Sequence, residues 1–162
     1  MSRLERFKSA QDARHGGYAE ALAEIQAGAK TGHWIWYVFP QIVGLGMSSA
    51  SQAYAIADEA EAIDYLRDPV LRARLLEITT SVAERLRSGR PASLRALMGS
   101  EIDARKVVSS LTLFTYAAKR LDAQELLDAY AAMAAVADEV LRTAAAQGYP
   151  PCRHTLHLLG AE

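Results

Sequence analysis

The chain has 162 residues, 51% hydrophobic and 23% charged, enough for one domain that buries a core without disulfides or metal. Its 18 basic residues nearly balance 19 acidic ones with no run of either sign, so the electrostatic footprint that nucleic acid requires is missing. One cysteine, Cys152, excludes an internal disulfide and suits a reducing cytosol, and neither a signal peptide nor a membrane-length apolar run is visible, so a cytoplasmic location without a membrane partner is expected.

Leu4, Phe7 and Ala10 recur at helical spacing over 3–14, and Tyr18, Leu22, Ile25 and Ala29 do so after the Gly16-Gly17 break, predicting two amphipathic helices. Gly28 and Gly32 bracket Lys30 and open a crowded stretch, in which Trp34, Trp36, Tyr37 and Phe39 are followed by Pro40, Gln41 and the turn Gly44-Leu45-Gly46. The residues from His33 to Phe39 favour extended structure by propensity, yet Pro40 closes the run too soon to separate a strand from a helical turn. It is read as irregular or as a short helix.

Ser48, Ser49 and Ser51 offer caps for a short helix through Tyr54 and Ile56. Asp58 with Glu61 is a capping-box signature for a helix over 59–67, and Asp68-Pro69 starts the next, on which Leu71, Leu75, Ile78, Val82 and Leu86 trace one face as far as Ser88-Gly89. A short helix over 93–98 ends at Gly99. Ser100 with Asp103 opens another, whose apolar stripe is Val107, Val108, Leu111, Phe114 and Ala118. An alanine-rich helix is expected from Asp122 to Gln147, either continuous or broken near Ala131 to Ala135, and Gly148-Tyr149-Pro150-Pro151 ends it. Leu156, Leu158 and Leu159 form a last short stripe. With no strand-turn-strand pattern, repeat or linker, the expectation is all-α: a single compact domain of about seven to nine helices over 1–162, without significant sheet.

Chemistry concentrates in two places. His33, set among aromatics, is the candidate acid or base near neutral pH, with a buried histidine bonded to a backbone carbonyl as the alternative. Trp34, Trp36 and Phe39 form either a stacking platform for a planar ligand or plain core packing. Gly44 and Gly46 with Ser48 and Ser49 could hold an anion through N–H and hydroxyl groups, without the lysine of a phosphate-binding loop. Farther on, Lys106, Ser109, Ser110 and Thr112 give one side of a helix a polar character that is either solvated or the wall of a pocket. His154 and His157 are three apart but lack a further ligand, so no metal site is expected. Cys152 beside Arg153 is either a reactive thiol or a packing residue.

The motif K-x-G-H-W-I-W-Y-V-F-P-Q-x-x-G-L-G-x-S from Lys30 stands with Tyr54-Ala55-Ile56, Glu59-Ala60, Tyr65-Leu66, Pro69-Val70-Leu71 and Arg74-Leu75. Asp103, Lys106 and S-S-x-T-L-F ending at Phe114 complete the set, which resembles the bacterial family known as domain of unknown function 1810 over residues 4–116. The resemblance implies a mainly α-helical single-domain fold and no established activity. This chain departs from the family pattern at Met47 and Val108, where basic residues are favoured, and 121–162 looks expanded.

The residues lead to the expectation of a pocket for a small polar or nucleotide-like ligand between the HWIWYVFPQ segment and the KxxSSxT helix. Its candidate ligand-binding residues are Lys30, Trp34, Trp36, Gln41, Gly44, Gly46, Ser48, Tyr54, Lys106, Ser109, Ser110 and Thr112, with His33 catalytic if there is a reaction and with no cofactor. The alternative is a protein-interaction module or homo-oligomer whose aromatics are purely structural.

Overall fold

The structure, a computed structural model, describes residues 3–161. Helices α1 (Glu5–Gln11) and α2 (Tyr18–Ala27) precede the aromatic stretch, which holds the single-turn α3 (Ile35–Val38). The short α4 (Ser49–Ala53) and α5 (Glu59–Arg67) lead to the long α6 (Pro69–Ser88). After α7 (Leu94–Met98) come α8 (Glu101–Glu125), α9 (Asp128–Ala146) and the short α10 (Arg153–Leu158). Ten helices and no strand are thus present among the described residues, more helices than the seven to nine expected. Segments as short as α3 and α10 do not complete enough turns for hydrophobic periodicity to register.

Side-chain caps start several helices where the sequence placed them. Ser48, Asp58, Ser93 and Ser100 each accept the N–H three residues on, filling one of the donor sites that a helix start leaves open. Asp68 ends α5 and begins α6, accepting from Val70 and Leu71 N–H at 3.0 Å while Lys8 Nζ lies 2.5 Å from its other oxygen. Leu71, Leu75, Ile78 and Val82 of α6 are buried as their spacing requires.

Helix α8 is the centre of the molecule. Nine consecutive residues, 107–115, are buried, a pattern open only to a helix covered on all sides, and α3, α5, α7, α9 and α10 all pack against it. The polar side expected for this helix is therefore not a solvated surface: Ser109, Ser110, Thr112 and Thr115 are all buried.

The boundary between the last long helices also differs from expectation. α8 continues past Asp122 to Glu125, the chain reverses at Leu126 and Leu127, and α9 runs unbroken through 131–135. No glycine or proline marks the reversal. Leu126 supplies it with φ +52°, the left-handed region, because α9 must fold back along α8 to bury Tyr130, Met133, Ala137 and Val140.

Leu126 is 80% exposed and gives up little packing when truncated. Leu126→Gly is expected to raise stability by about 0.5–1 kcal/mol through relief of the left-handed penalty. Thermal melts of the two proteins check this, and a lower Tm for the variant would contradict it.

Candidate functional site

The aromatic stretch is shaped from below by one carboxylate. After Gly28 closes α2, Glu24 Oε1 accepts the N–H groups of Thr31 and Gly32 at 2.8 Å and the indole N–H of Trp34 at 2.9 Å. A Cβ on Gly32 would stand 3.0 Å from both Glu24 Oε2 and Trp34 Cδ1, so any side chain there would push the carboxylate and the indole apart by a few tenths of an ångström. Burial works against the charged Glu24, but the three donated hydrogen bonds outweigh it and hold the carboxyl below the usual glutamate range. Trp34 is drawn fully into the core, where Phe39 lies beside it.

Lys30 joins this stretch to α8. Its ammonium lies 2.7 Å from Asp103 Oδ2, donates to Gly32 O at 2.5 Å and sits over the Trp34 ring, with its side chain only 6% exposed. Beyond α3 and the buried Pro40, Ile42 forms a single parallel bridge with Ile56, and Val43 O is 2.9 Å from His154 Nε2 of α10. Gly44, at φ +99°, brings the loop under that imidazole so closely that a Cβ would come within 2.9 Å of it. Residues 41–46 are thereby held both to the segment at Ile56 and to α10.

A cavity of about 470 Å³ opens between this loop, α8 and the segment from Tyr149 to Arg153. Helix α8 presents Ile102, Arg105, Lys106 and Ser109 to it, a face at steps of three and four. The opposite wall is fastened to α8 by Cys152 N–H, which donates to Thr112 Oγ1 at 3.1 Å, while that hydroxyl donates to Val108 O at 2.7 Å. Leu45, Ile102, Val108, Tyr149 and two prolines give the cavity apolar walls.

Its polar groups share a character. Arg105, Lys106 and Arg153 line the cavity, and no described carboxylate does. Asp103 is taken by Lys30, so Lys106 keeps only a 3.8 Å contact with it and lies 4.9 Å above the Trp36 ring. Arg105 is over the Tyr149 ring, and its 3.5 Å contact with Glu101 joins two side chains more than half exposed, worth little in water. The Gln41 carboxamide and the Ser109 hydroxyl, both on the lining, make no hydrogen bond within the described protein, although Ser109 is only 5% exposed.

Of the candidate ligand-binding residues, the cavity collects Gln41, Lys106 and Ser109, and Cys152 lines it as well. A smaller recess of about 80 Å³, sharing Gln41 and Leu45 with the cavity, collects Trp36, Gly44, Gly46 and Tyr54. The others stand elsewhere. Lys30 and Trp34 are structural, Ser48 caps α4, Ser110 is buried without a partner, and Thr112 is the tie to Cys152. His33 is exposed and lines neither space, because the Glu24 network turns Trp34 inward and leaves the preceding bend facing water. Arg105, Tyr149 and Arg153 also line the cavity and were not among the sequence candidates. The i, i+3, i+4 and i+7 spacing of Ile102, Arg105, Lys106 and Ser109 was visible, but the approach of 149–153 was not.

The sequence profile of the family described as Protein of unknown function (DUF1810) matches residues 1–141. The chain belongs to this family. Its fold is also similar to the crystal structure of the conserved hypothetical protein Rv1873 from Mycobacterium tuberculosis, with TM-score 0.75 and 34% identity over 98% of this chain and 97% of that one. No functionally curated protein matches the chain. The family match extends past residue 116, where the quoted motifs stop, into α9, and the similarity to the mycobacterial structure carries on toward the C-terminus. No helix among the described residues is long and apolar enough to cross a membrane.

Two predictions follow from the Glu24 and Lys30 contacts. Because the folded pKa of Glu24 lies below its unfolded value, the stability it contributes is present above about pH 4.5 and is lost as pH falls through the folded value. In urea titrations, the gap between the native chain and Glu24→Gln should be about 1–3 kcal/mol at neutral pH and should narrow on acidification. Lys30→Met should cost roughly 2–4 kcal/mol by stranding Asp103, the Lys106 contact moderating the loss. A change in Tm of less than a degree would mean that Lys30 is not structural.

Proposed function

We propose that this chain binds a small organic anion with a planar or apolar body, a class that includes nucleotides, in the cavity between residues 41–46, α8 and 149–153. One observation carries the reading: three cationic side chains and two unpartnered hydrogen-bonding groups converge on an apolar-walled space with no carboxylate in its described lining. The whole chain has a formal net charge of −1, so this local excess of positive charge does not follow from its composition. A volume of about 470 Å³ suits a ligand of that size.

The arrangement favours binding over catalysis. His33 does not line the cavity, and His154, which borders the loop, is engaged with Val43 O. No nucleophile is paired with a general base among the described lining residues.

Cys152 is the chain's one cysteine and lines the cavity, so its alkylation reports occupancy. Adenosine monophosphate is expected to slow the reaction of Cys152 with neutral iodoacetamide and to raise Tm, and uncharged adenosine to do neither. Arg105→Gln and Lys106→Gln should each weaken the protection by roughly tenfold or more, the value of a charge-assisted hydrogen bond. Equal effects of the two probes, or no protection by adenosine monophosphate, inorganic phosphate and citrate alike, would refute the anion site.

A further inference from the structure

The binding reading leaves one reactive group unused. Cys152 is half-buried and lines the same cavity as Arg105, Lys106 and Arg153. Its backbone is held in place by the N–H bond to Thr112 Oγ1, so the side chain starts from a fixed point on the wall rather than from a loose tail. Ser109, on the helix wall of the same cavity, is 5% exposed with a hydroxyl that has no protein partner. That oxygen is not sealed in the core like Ser110 Oγ but opens to the cavity, where it can donate to or accept from a bound molecule. The Gln41 carboxamide, also unpartnered, adds a donor and an acceptor of the kind that pairs with a peptide group.

We infer that Cys152 is a site of S-thiolation by small disulfides that carry carboxylates, docked by the cations of the cavity before exchange. This rests on the anion-binding reading and adds a covalent step to it. The Cys152 thiol gives its proton to water, and the thiolate attacks one sulfur of the disulfide. The S–S bond of the small molecule breaks as a new one forms to Sγ, and the departing thiolate takes up a proton, so that one thiol is consumed and one released. The disulfide is the oxidant and no further reagent is needed. The mixed disulfide then occupies the space that the reversible ligand requires, which makes ligand binding sensitive to the thiol-disulfide balance around the protein.

Charge selectivity distinguishes this from the chance oxidation of an accessible thiol. The full chain is incubated with glutathione disulfide, which is acidic, or with cystamine, which is dicationic, and the adduct is followed by intact mass. After each rate is divided by that of the same reagent with urea-unfolded protein, glutathione disulfide is expected to be favoured by roughly tenfold or more, the scale on which a cleft of one charge sign raises encounter. The preference should shrink in Arg105→Gln and Lys106→Gln, and it should fade with added salt, a control that needs no variant to fold. Reduction should restore protection by adenosine monophosphate. A normalised preference near one, or one that survives salt and both substitutions, overturns the inference. If adenosine monophosphate still protects Cys152 from iodoacetamide in that event, the anion site stands and the thiolation alone is wrong; if it does not, both fall.

Discussion

The ion pair between Lys30 and Asp103 is the constraint on which the arrangement of the site depends. Its ammonium is almost wholly removed from water, and a charge in that position must keep its partner or pay a large desolvation cost. The backbone N–H of Lys30 is bound as well, donating to Leu97 O at 2.8 Å at the end of α7. The aromatic stretch is thus locked in one register against the start of α8, and the loop that follows inherits that register. Because Asp103 gives its close contact to Lys30, Lys106 is left with a long one and with the face of Trp36. The same pair that secures the fold thereby leaves a positive charge facing the cavity.

The crowded aromatics divide between two tasks that their chemistry alone does not distinguish. Trp34 is fully buried, with its indole N–H satisfied by Glu24, while Trp36, two residues on, is half-buried beneath Lys106 and borders the small recess. The hydroxyls of α8 divide similarly. Thr112 is a structural relay between Val108 O and Cys152 N–H, Ser110 is enclosed without a partner, and Ser109 meets the cavity. A helix buried on every side needs small side chains where its neighbours come near, and serine and threonine meet that need at the cost of hydroxyls that must be satisfied or left open.

The cavity's wall at 149–153 shows how the C-terminal part completes what the aromatic segment and α8 begin. Gly148 ends α9, two prolines carry the chain across the helix as extended backbone, and Cys152 begins α10 at the point where its N–H reaches Thr112. His154 then closes the circuit by bonding back to Val43 O beside Gly44. The C-terminal segment is therefore tied both to the helix and to the loop, which holds the three walls together without a sheet to carry them.

Local chemistry made much of the helical framework legible. Ser48, Asp58, Asp68 and Ser100 announce helix starts through hydrogen bonds to N–H groups two or three residues away, and Gly28, Gly89 and Gly99 end helices with φ values that side chains resist. Gln41 of the Lys30–Ser48 motif and Lys106 and Ser109 of α8, all singled out in the sequence, line one cavity. The turn at Leu126 was invisible because its cause is the docking of α9 on α8, with no residue there that favours a left-handed backbone. The place of Arg153 and Tyr149 on the cavity wall was invisible for the same reason at longer range: about forty residues separate them from the α8 residues across the cavity. By itself the sequence determined the all-α class and most helix starts, because caps and periodicity act within a turn or two. Which tryptophan is core, which lysine is structural and which cations meet around one space were decided only by tertiary packing, because those outcomes depend on contacts between elements far apart in the chain.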